Sequence, residues 1–168
     1  MLGEKRMNLR RSPLIYVVCC LLTLITSLSA QTLQVVDAEG HATMVTAAHI
    51  SALPHVIVKV MDHDAPAQFE GVSLASLLLS ANIQLGDKLR GSRMTEVLLV
   101  EAADSYKVVF ALAEVDPAFA VREVILADKR DGKALDAKEG PFRIIAPGDK
   151  RGARWVRQVT ALKIIAVR

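Results

Sequence analysis

Four cationic side chains lie within eight residues near the end of this 168-residue chain, in the order Lys150, Arg151, Arg154 and Arg157. Gly152 lies among them, and a glycine lets the backbone approach a ligand closely. Arginine presents a planar fork of N–H donors that matches the oxygens of a phosphate or carboxylate group. The residue types and their spacing therefore indicate an anion-binding loop. On the charges alone, a solvated basic turn explains the same residues.

Two predicted strands flank these cations and must position them. A short apolar strand is expected over residues 142–145 and ends at Pro147-Gly148, and a final strand is expected over residues 159–167. The cations thus lie on the connection between two strands, which we call the basic loop (residues 148–158). Such connections run over the surface of a domain and often carry its binding residues.

Alternating apolar residues in the rest of the chain predict further strands. These strands are expected over residues 33–36, 41–45, 56–61, 97–102, 106–111 and 121–127. Thr46 and Ser73 have the side chains of helix N-caps, and each precedes a short helical pattern. Turn-forming residues from Asp128 to Gly132 are expected to follow strand 121–127. The pattern predicts one compact α+β domain with a mixed sheet and two or three short helices.

The first thirty residues have the layout of a secretory signal. A cationic start is followed by an uncharged apolar run over residues 14–26 and by small residues up to Ala30. The run is short for a membrane span. We predict cleavage before Gln31, a mature domain of residues 31–168 without a membrane span, and a periplasmic location. An uncleaved anchor is the alternative, and a pair of arginines leaves twin-arginine export open beside the general secretory route.

Removal of that segment changes what the composition implies. The segment holds four of the 21 Lys and Arg residues and one of the 18 Asp and Glu residues, which leaves 17 of each. The mature chain is then formally neutral, and no nucleic-acid partner is expected. The segment also holds both cysteines, Cys19 and Cys20. The mature chain therefore has no disulfide, no thiolate metal ligand and no cysteine nucleophile.

Three segments follow one another in a characteristic order. They are a glycine turn with a leucine-rich helix over residues 69–78, a hairpin with a tyrosine over residues 102–110, and residues 132–156, which are the most specific. Together they resemble the molybdopterin-binding domain of the sulfite-oxidase-like oxidoreductases, in a compact exported bacterial form. The resemblance covers residues 33–167. It implies a mixed α+β domain that holds a molybdopterin cofactor, with backbone amides and basic side chains around the pterin phosphate.

The resemblance also implies which residues contact that cofactor. The basic loop would lie near the pterin phosphate, and a strand arginine of the family corresponds to Arg143. The cofactor-binding residues implied in this way are Arg143, Arg151, Gly152, Ala153, Arg154 and Arg157.

The chain departs from the family at the metal. The catalytic members bind molybdenum through a cysteine located between the early strand and the glycine-leucine helix. Here that segment is residues 60–64, which contain no cysteine, and the long basic insertion that usually follows is missing. A thioether or a carboxylate is a poor replacement for a thiolate on molybdenum. The resemblance therefore implies the oxidoreductase scaffold with catalytic turnover in doubt and no catalytic residue assigned.

Three other features have a chemical and a structural interpretation. The Asp-His-Asp sequence at residues 62–64 offers ligand types for a divalent ion, but alternate residues of a strand point to opposite faces, which favours a polar turn and no metal. For Tyr106, cross-strand packing is favoured over contact with a ligand. For Trp155, packing in the core beside the basic loop is favoured over stacking on a flat ligand.

Two functions are compatible with these features. The first is an exported protein that binds molybdopterin, with or without redox turnover. The second is a non-enzymatic periplasmic module that binds a small anion or a partner protein, such as a membrane sensor. The missing cysteine and the missing insertion favour the second function, whereas the basic loop fits both.

Overall fold

The protein folds into two five-stranded sheets in the computed structural model, which describes residues 31–167. The predicted signal segment lies outside the described residues. The strands are β1 (Thr32–Val36), β2 (Ala42–Thr46), β3 (His55–Asp62), β4 (Ala65–Ser73), β5 (Glu96–Ala102), β6 (Lys107–Ala111), β7 (Ile125–Arg130), β8 (Lys133–Ala134), β9 (Arg143–Ile145) and β10 (Val159–Ala166). The helices are α1 (Ala47–Ala52), α2 (Leu74–Ser80) and α3 (Leu112–Val115). The α+β prediction with short helices is confirmed.

The order of the strands brings the basic loop to the junction of the two sheets. The first sheet has the order β2-β1-β10-β5-β6, in which β1 and β10 are parallel and the other pairs are antiparallel. The second sheet has the order β3-β4-β7-β8, and β9 also pairs with β7. The basic loop leaves β9 in the second sheet and enters β10 in the first, so residues from both sheets can surround it.

Local sequence signals set both predicted helix starts. The Ser73 hydroxyl accepts the N–H of Ser76 at 3.0 Å, which satisfies one of the free donors at the start of α2. Thr46 does the same for the N–H of His49 at 3.2 Å. Helix α2 then buries three leucines completely, namely Leu74, Leu77 and Leu78. These leucines join one core that both sheets share. No helix in the described residues is long and apolar enough to cross a membrane.

The predicted position of strand β7 was wrong by four residues at its start. The strand runs over Ile125–Arg130, and Val121 is fully exposed in the preceding loop. The residues expected to turn continue the strand instead, because Lys129 lies opposite Glu70 and forms an ion pair with it. Cross-strand pairs of opposite charge stabilise a sheet. The turn is thereby confined to Asp131 and Gly132, both of which have positive φ angles.

Candidate anion-binding cavity

A cavity of about 750 Å³ opens between the basic loop and the turns of two hairpins. The β3–β4 turn contributes residues 61–64, and the β5–β6 turn contributes Asp104 and Tyr106. The third wall is the basic loop together with Lys138, which lies between β8 and β9. Because both sheets contribute walls, the cavity depends on the tertiary fold and not on any single segment.

The structure separates the six residues that the sequence implied as a site. Four of them line the cavity, namely Arg151, Gly152, Ala153 and Arg157. Arg154 lines a second cavity, of about 640 Å³, together with Phe110 and Glu114. Arg143 is buried and lines neither of the two. The contacts of these six residues with a cofactor stay a prediction.

Four cations at the first cavity have no anionic partner among the described residues. The side chains of Lys138, Lys150, Arg151 and Arg157 form no ion pair and no hydrogen bond within residues 31–167, and all four residues are exposed. Two exposed carboxylates, Asp64 and Asp104, lie on the hairpin turns of the same cavity. The exposed charges therefore favour an anion, because cations outnumber carboxylates four to two.

Two contacts fix the basic loop against its surroundings. The buried Trp155 ring donates its Nε1–H to the carbonyl of Ala146 at 3.0 Å and lies edge-on to Phe69. Trp155 therefore packs in the core beside the basic loop, as predicted. The Tyr106 hydroxyl donates to the carbonyl of Ala153 at 2.8 Å. Tyr106 precedes β6, is half exposed and bonds to the loop through its hydroxyl, whereas cross-strand packing was the favoured interpretation of the sequence.

Asp62, which is buried and lines the cavity, belongs to a network of charged side chains. The Arg143 guanidinium donates from Nη1 to Asp62 Oδ2 at 3.1 Å and from Nη2 to Asp62 Oδ1 at 3.3 Å. Its Nη1 also donates to Glu139 at 2.8 Å, and Arg130 lies 3.1 Å from Asp62. The Arg143 guanidinium lies 5.0 Å from the centre of the Phe69 ring. The Asp-His-Asp segment is thus a turn whose first carboxylate is already paired.

The pKa of the Asp62 carboxyl is held below its ordinary value. Burial alone would raise this pKa. The opposing effects are larger: they come from the hydrogen bond and charge of Arg143, the charge of Arg130 and a hydrogen bond with His63. His63 Nδ1 lies 2.9 Å from the carboxylate. A folded-state pKa below the unfolded value of about 4 means that ionised Asp62 stabilises the fold above that pH.

We expect the Asp62→Asn variant to show a weaker loss of stability in acid than the wild type. The wild type loses the contribution of Asp62 as the pH falls below about 4 and through the folded-state pKa, whereas asparagine does not titrate. Urea unfolding from pH 7 to pH 2.5 measures the difference. The gap in unfolding free energy between wild type and variant should be widest near pH 7 and should narrow in acid. A gap that stays constant over this range would contradict the prediction.

The donor groups at the cavity do not suit thiolate-type metal ligation. Residues 31–168 contain no cysteine. Met61 offers a thioether, and both oxygens of Asp62 are held by Arg143.

Another group of possible metal ligands lies on the exposed β1–β2 turn and consists of Asp37, Glu39 and His41. That group contains its own hydrogen bond from His41 to Asp37 and lies outside the cavity.

Comparison with known proteins agrees with the fold. The family model of the oxidoreductase molybdopterin binding domain matches residues 32–168. The crystal structure of the sulfane dehydrogenase SoxCD from Paracoccus pantotrophus superimposes with a TM-score of 0.63 at 20% sequence identity, over 81% of this chain and 38% of that chain. This chain therefore spans well under half of the SoxCD chain that it matches. No curated protein gave a significant match. The family match covers most of the sequence, and the chain belongs to the oxidoreductase molybdopterin binding domain family.

Proposed function

We propose that this member of the oxidoreductase molybdopterin binding domain family binds a phosphate-bearing anion in the first cavity and does not catalyse sulfite-type oxygen transfer. The observation that carries the proposal is the set of four cations, Lys138, Lys150, Arg151 and Arg157, that face one cavity without anionic partners in residues 31–167. The other charged groups of that cavity are fewer, and its buried carboxylate is already neutralised by arginine.

The arrangement of the cations suits a phosphate group. Arg151 and Arg157 flank the short Gly152–Arg154 turn on the same loop, and Lys150 precedes them. Two guanidinium forks and an ammonium group provide several donors to the oxygens of one anion. A single exposed ion pair stabilises little, because water and salt screen it. Several donors that converge on a ligand in a cavity stabilise the bound state more strongly, since the ligand shields them from water.

The molybdopterin cofactor of the family fits one part of this site and not another. Its phosphate suits the cations of the basic loop, which would hold and orient it. Its metal would lack the cysteine thiolate, because residues 60–64 contain none and the carboxylate of Asp62 is bonded to Arg143. We therefore derive no redox step for this chain. A periplasmic location remains part of the proposal and is supported by the signal-like layout of residues 1–30.

The binding proposal predicts a saturable response of the exported chain to inorganic phosphate and pyrophosphate. Trp155 fluorescence is a suitable readout, because this buried ring lines the cavity. The double variant Arg151→Ala/Arg157→Ala should bind pyrophosphate at least about tenfold more weakly, since a charge-assisted hydrogen bond contributes about 1.5–3 kcal/mol when shielded. Arg90→Ala is the matched control, since Arg90 is exposed and lies outside the cavity.

Thermal unfolding provides a second readout for the same ligands, because a ligand that binds only the folded state raises the melting temperature. Sodium chloride at equal ionic strength separates binding from general screening. A response to phosphate that equals the response to chloride, or equal affinities of wild type and double variant, would show that the loop is a solvated basic turn.

The absence of oxygen transfer is tested on protein purified from its own compartment. We expect less than about one molybdenum atom per ten chains by elemental analysis, because loss of even an outer-shell partner of a metal ligand typically costs about 10–100-fold in metal affinity, and here the thiolate ligand itself is missing. Sulfite oxidation should not rise above that of a denatured sample. Turnover that depends on bound molybdenum would overturn this half of the proposal and would leave the anion-binding half unaffected.

A further inference from the structure

We infer that Arg154 and Tyr106 are positioning residues that hold the basic loop in its ligand-binding conformation before the ligand arrives. The inference rests on the proposed function, which supplies the anionic ligand, and on the contacts of Arg154 and Tyr106 within the protein. It assigns Arg154 a different task from its neighbours Arg151 and Arg157, although the sequence presents all three as equivalent cations.

All three guanidinium nitrogens of Arg154 contact carboxylates of the protein. Its Nε and Nη2 donate to the two oxygens of Asp149 at 2.9 Å and 2.6 Å. Its Nη1 lies 3.3 Å from both oxygens of Glu114, and its Cζ lies 4.3 Å from the centre of the Phe110 ring. A bidentate pair of this kind fixes the geometry of an arginine as well as its charge. An anion could recruit Arg154 only by displacing two carboxylates.

These contacts connect the loop to the edge of the first sheet at two points. Tyr106 comes just before β6, and its hydroxyl donates to the carbonyl of Ala153. Phe110 lies near the end of β6 and Glu114 lies in α3 directly after it, so Arg154 reaches the other end of the same strand. Because β6 is an edge strand of its sheet, its outer side is free to support the loop.

The second contact point is itself anchored. Glu114 Oε2 accepts the backbone N–H of Ala111 at 2.8 Å, which fixes this carboxylate at the start of α3. Asp149 belongs to the loop, so the ion pair of Arg154 with Asp149 closes the loop on itself, while the pair with Glu114 fastens it to α3. Arg151 and Gly152 lie between Asp149 and Arg154 in the chain and line the first cavity.

A loop that is ordered before binding loses less conformational entropy when the ligand binds, and its affinity is higher for that reason. Loss of either tie should therefore weaken binding, although Arg154 does not line the first cavity and the Tyr106 hydroxyl is already bonded to Ala153. This separates positioning by Arg154 and Tyr106 from direct contact by Arg151 and Arg157.

The test uses two variants and two readouts on the exported chain. Tyr106→Phe removes only the hydroxyl of a half-exposed residue, and Arg154→Lys keeps the charge but removes the bidentate fork. Amide hydrogen exchange without ligand should become about tenfold faster in residues 149–157 in each variant, because local opening controls exchange. The dissociation constant for pyrophosphate should rise about fivefold in each, as expected when ordering moves into the binding step.

Arg93→Lys is the matched control. Arg93 also holds a carboxylate through two donors, Nε and Nη2 to Glu96 at 2.9 Å and 2.8 Å, but it lies far from the basic loop in sequence and lines neither of the two cavities described. It should change neither loop exchange nor pyrophosphate affinity. Should Arg154→Lys fail to fold, Tyr106→Phe still provides both readouts.

The outcomes separate this inference from the proposed function. Loop exchange equal to that of the wild type in both variants overturns the inference, whether or not pyrophosphate binds. Faster exchange with an unchanged dissociation constant also overturns it, because the ties would then be structural only. A wild type that shows no saturable binding overturns the proposed function instead, and faster exchange in the variants would still show that the two ties order the loop.

Discussion

Replacement of Arg143 by methionine should lower the free energy of unfolding by about 3 kcal/mol, one of the two largest effects expected in this chain. Removal of one partner from a buried ion pair costs about 3–5 kcal/mol, because the remaining charge stays buried without compensation. Arg143 is 1% exposed and holds both oxygens of Asp62. The lower end of the range applies, since Arg130 still contacts Asp62 and Glu139.

Arg130→Met is the control, because it removes a cation from the same two carboxylates by the same chemical change. The Arg130 side chain is 34% exposed, so water compensates for its loss. Its replacement should cost about 1 kcal/mol or less, because Arg130 is partly exposed and Arg143 still pairs with both carboxylates. Urea unfolding at pH 7 measures both variants. Equal costs for the two replacements would show that burial does not strengthen the network.

The same network bears on the proposed anion binding, because it includes a carboxylate that lines the cavity. The carboxylate of Asp62 reaches the cavity, but its charge is used by Arg143 and Arg130. Its two oxygens therefore already accept hydrogen bonds from Arg143 before any ligand binds. The exposed charged groups at this cavity are four cations and the two carboxylates of Asp64 and Asp104, a balance that supports the proposed anion binding.

Local signals in the sequence predicted most of the secondary structure. The β1–β2 hairpin, the caps at Thr46 and Ser73 and the strand before Pro147 all depend on neighbouring residues, so periodicity and turn chemistry reveal them. The end of strand β7 was misplaced because its last three residues are charged and typical of a turn. Lys129 among them forms an ion pair with Glu70, which lies 59 residues away along the chain.

The site was predicted less completely, and the reason is again distance along the chain. The cluster of cations in the basic loop is visible in the sequence, but the roles within it are not. Arg143 pairs with Asp62 across 81 residues, and Arg154 reaches Glu114 across 40. No local pattern encodes such a pair. The bidentate partner Asp149 lies five residues from Arg154, and it was the one signal that could have marked this arginine as engaged.

Gly71→Ala is the second replacement with a large expected effect, and it should destabilise the fold by about 4 kcal/mol or more. The sequence suggested a glycine turn at this position, but Gly71 lies inside strand β4, at an irregularity in its pairing with β7. A Cβ atom on Gly71 would lie 2.1 Å from the carbonyl oxygen of Leu126 and 2.5 Å from the Cα of Ala127. Both contacts are with backbone atoms, which no change of rotamer can relieve.

The clash forces strands β4 and β7 apart, and β7 also carries β9, from which the basic loop leaves. Costs above about 4 kcal/mol are exceptional for one substitution and arise from steric conflicts of this kind. For a domain of this size the melting temperature should fall by roughly 12 °C or more. Since natural domains are stable by about 5–15 kcal/mol, much of the variant should also be recovered as insoluble protein.

Gly148→Ala is the matched control for Gly71→Ala. The nearest atom to a Cβ on Gly148 is the side-chain Cδ of Arg122, at 3.8 Å, which is an ordinary contact. The same added methyl group should therefore change the unfolding free energy by about 0.5 kcal/mol or less. Calorimetry of the wild type and the two variants measures the three melting temperatures, and only that of Gly71→Ala should fall clearly. Equal melting temperatures for both variants would mean that β4 and β7 do not approach each other as closely at Gly71 as the structure places them.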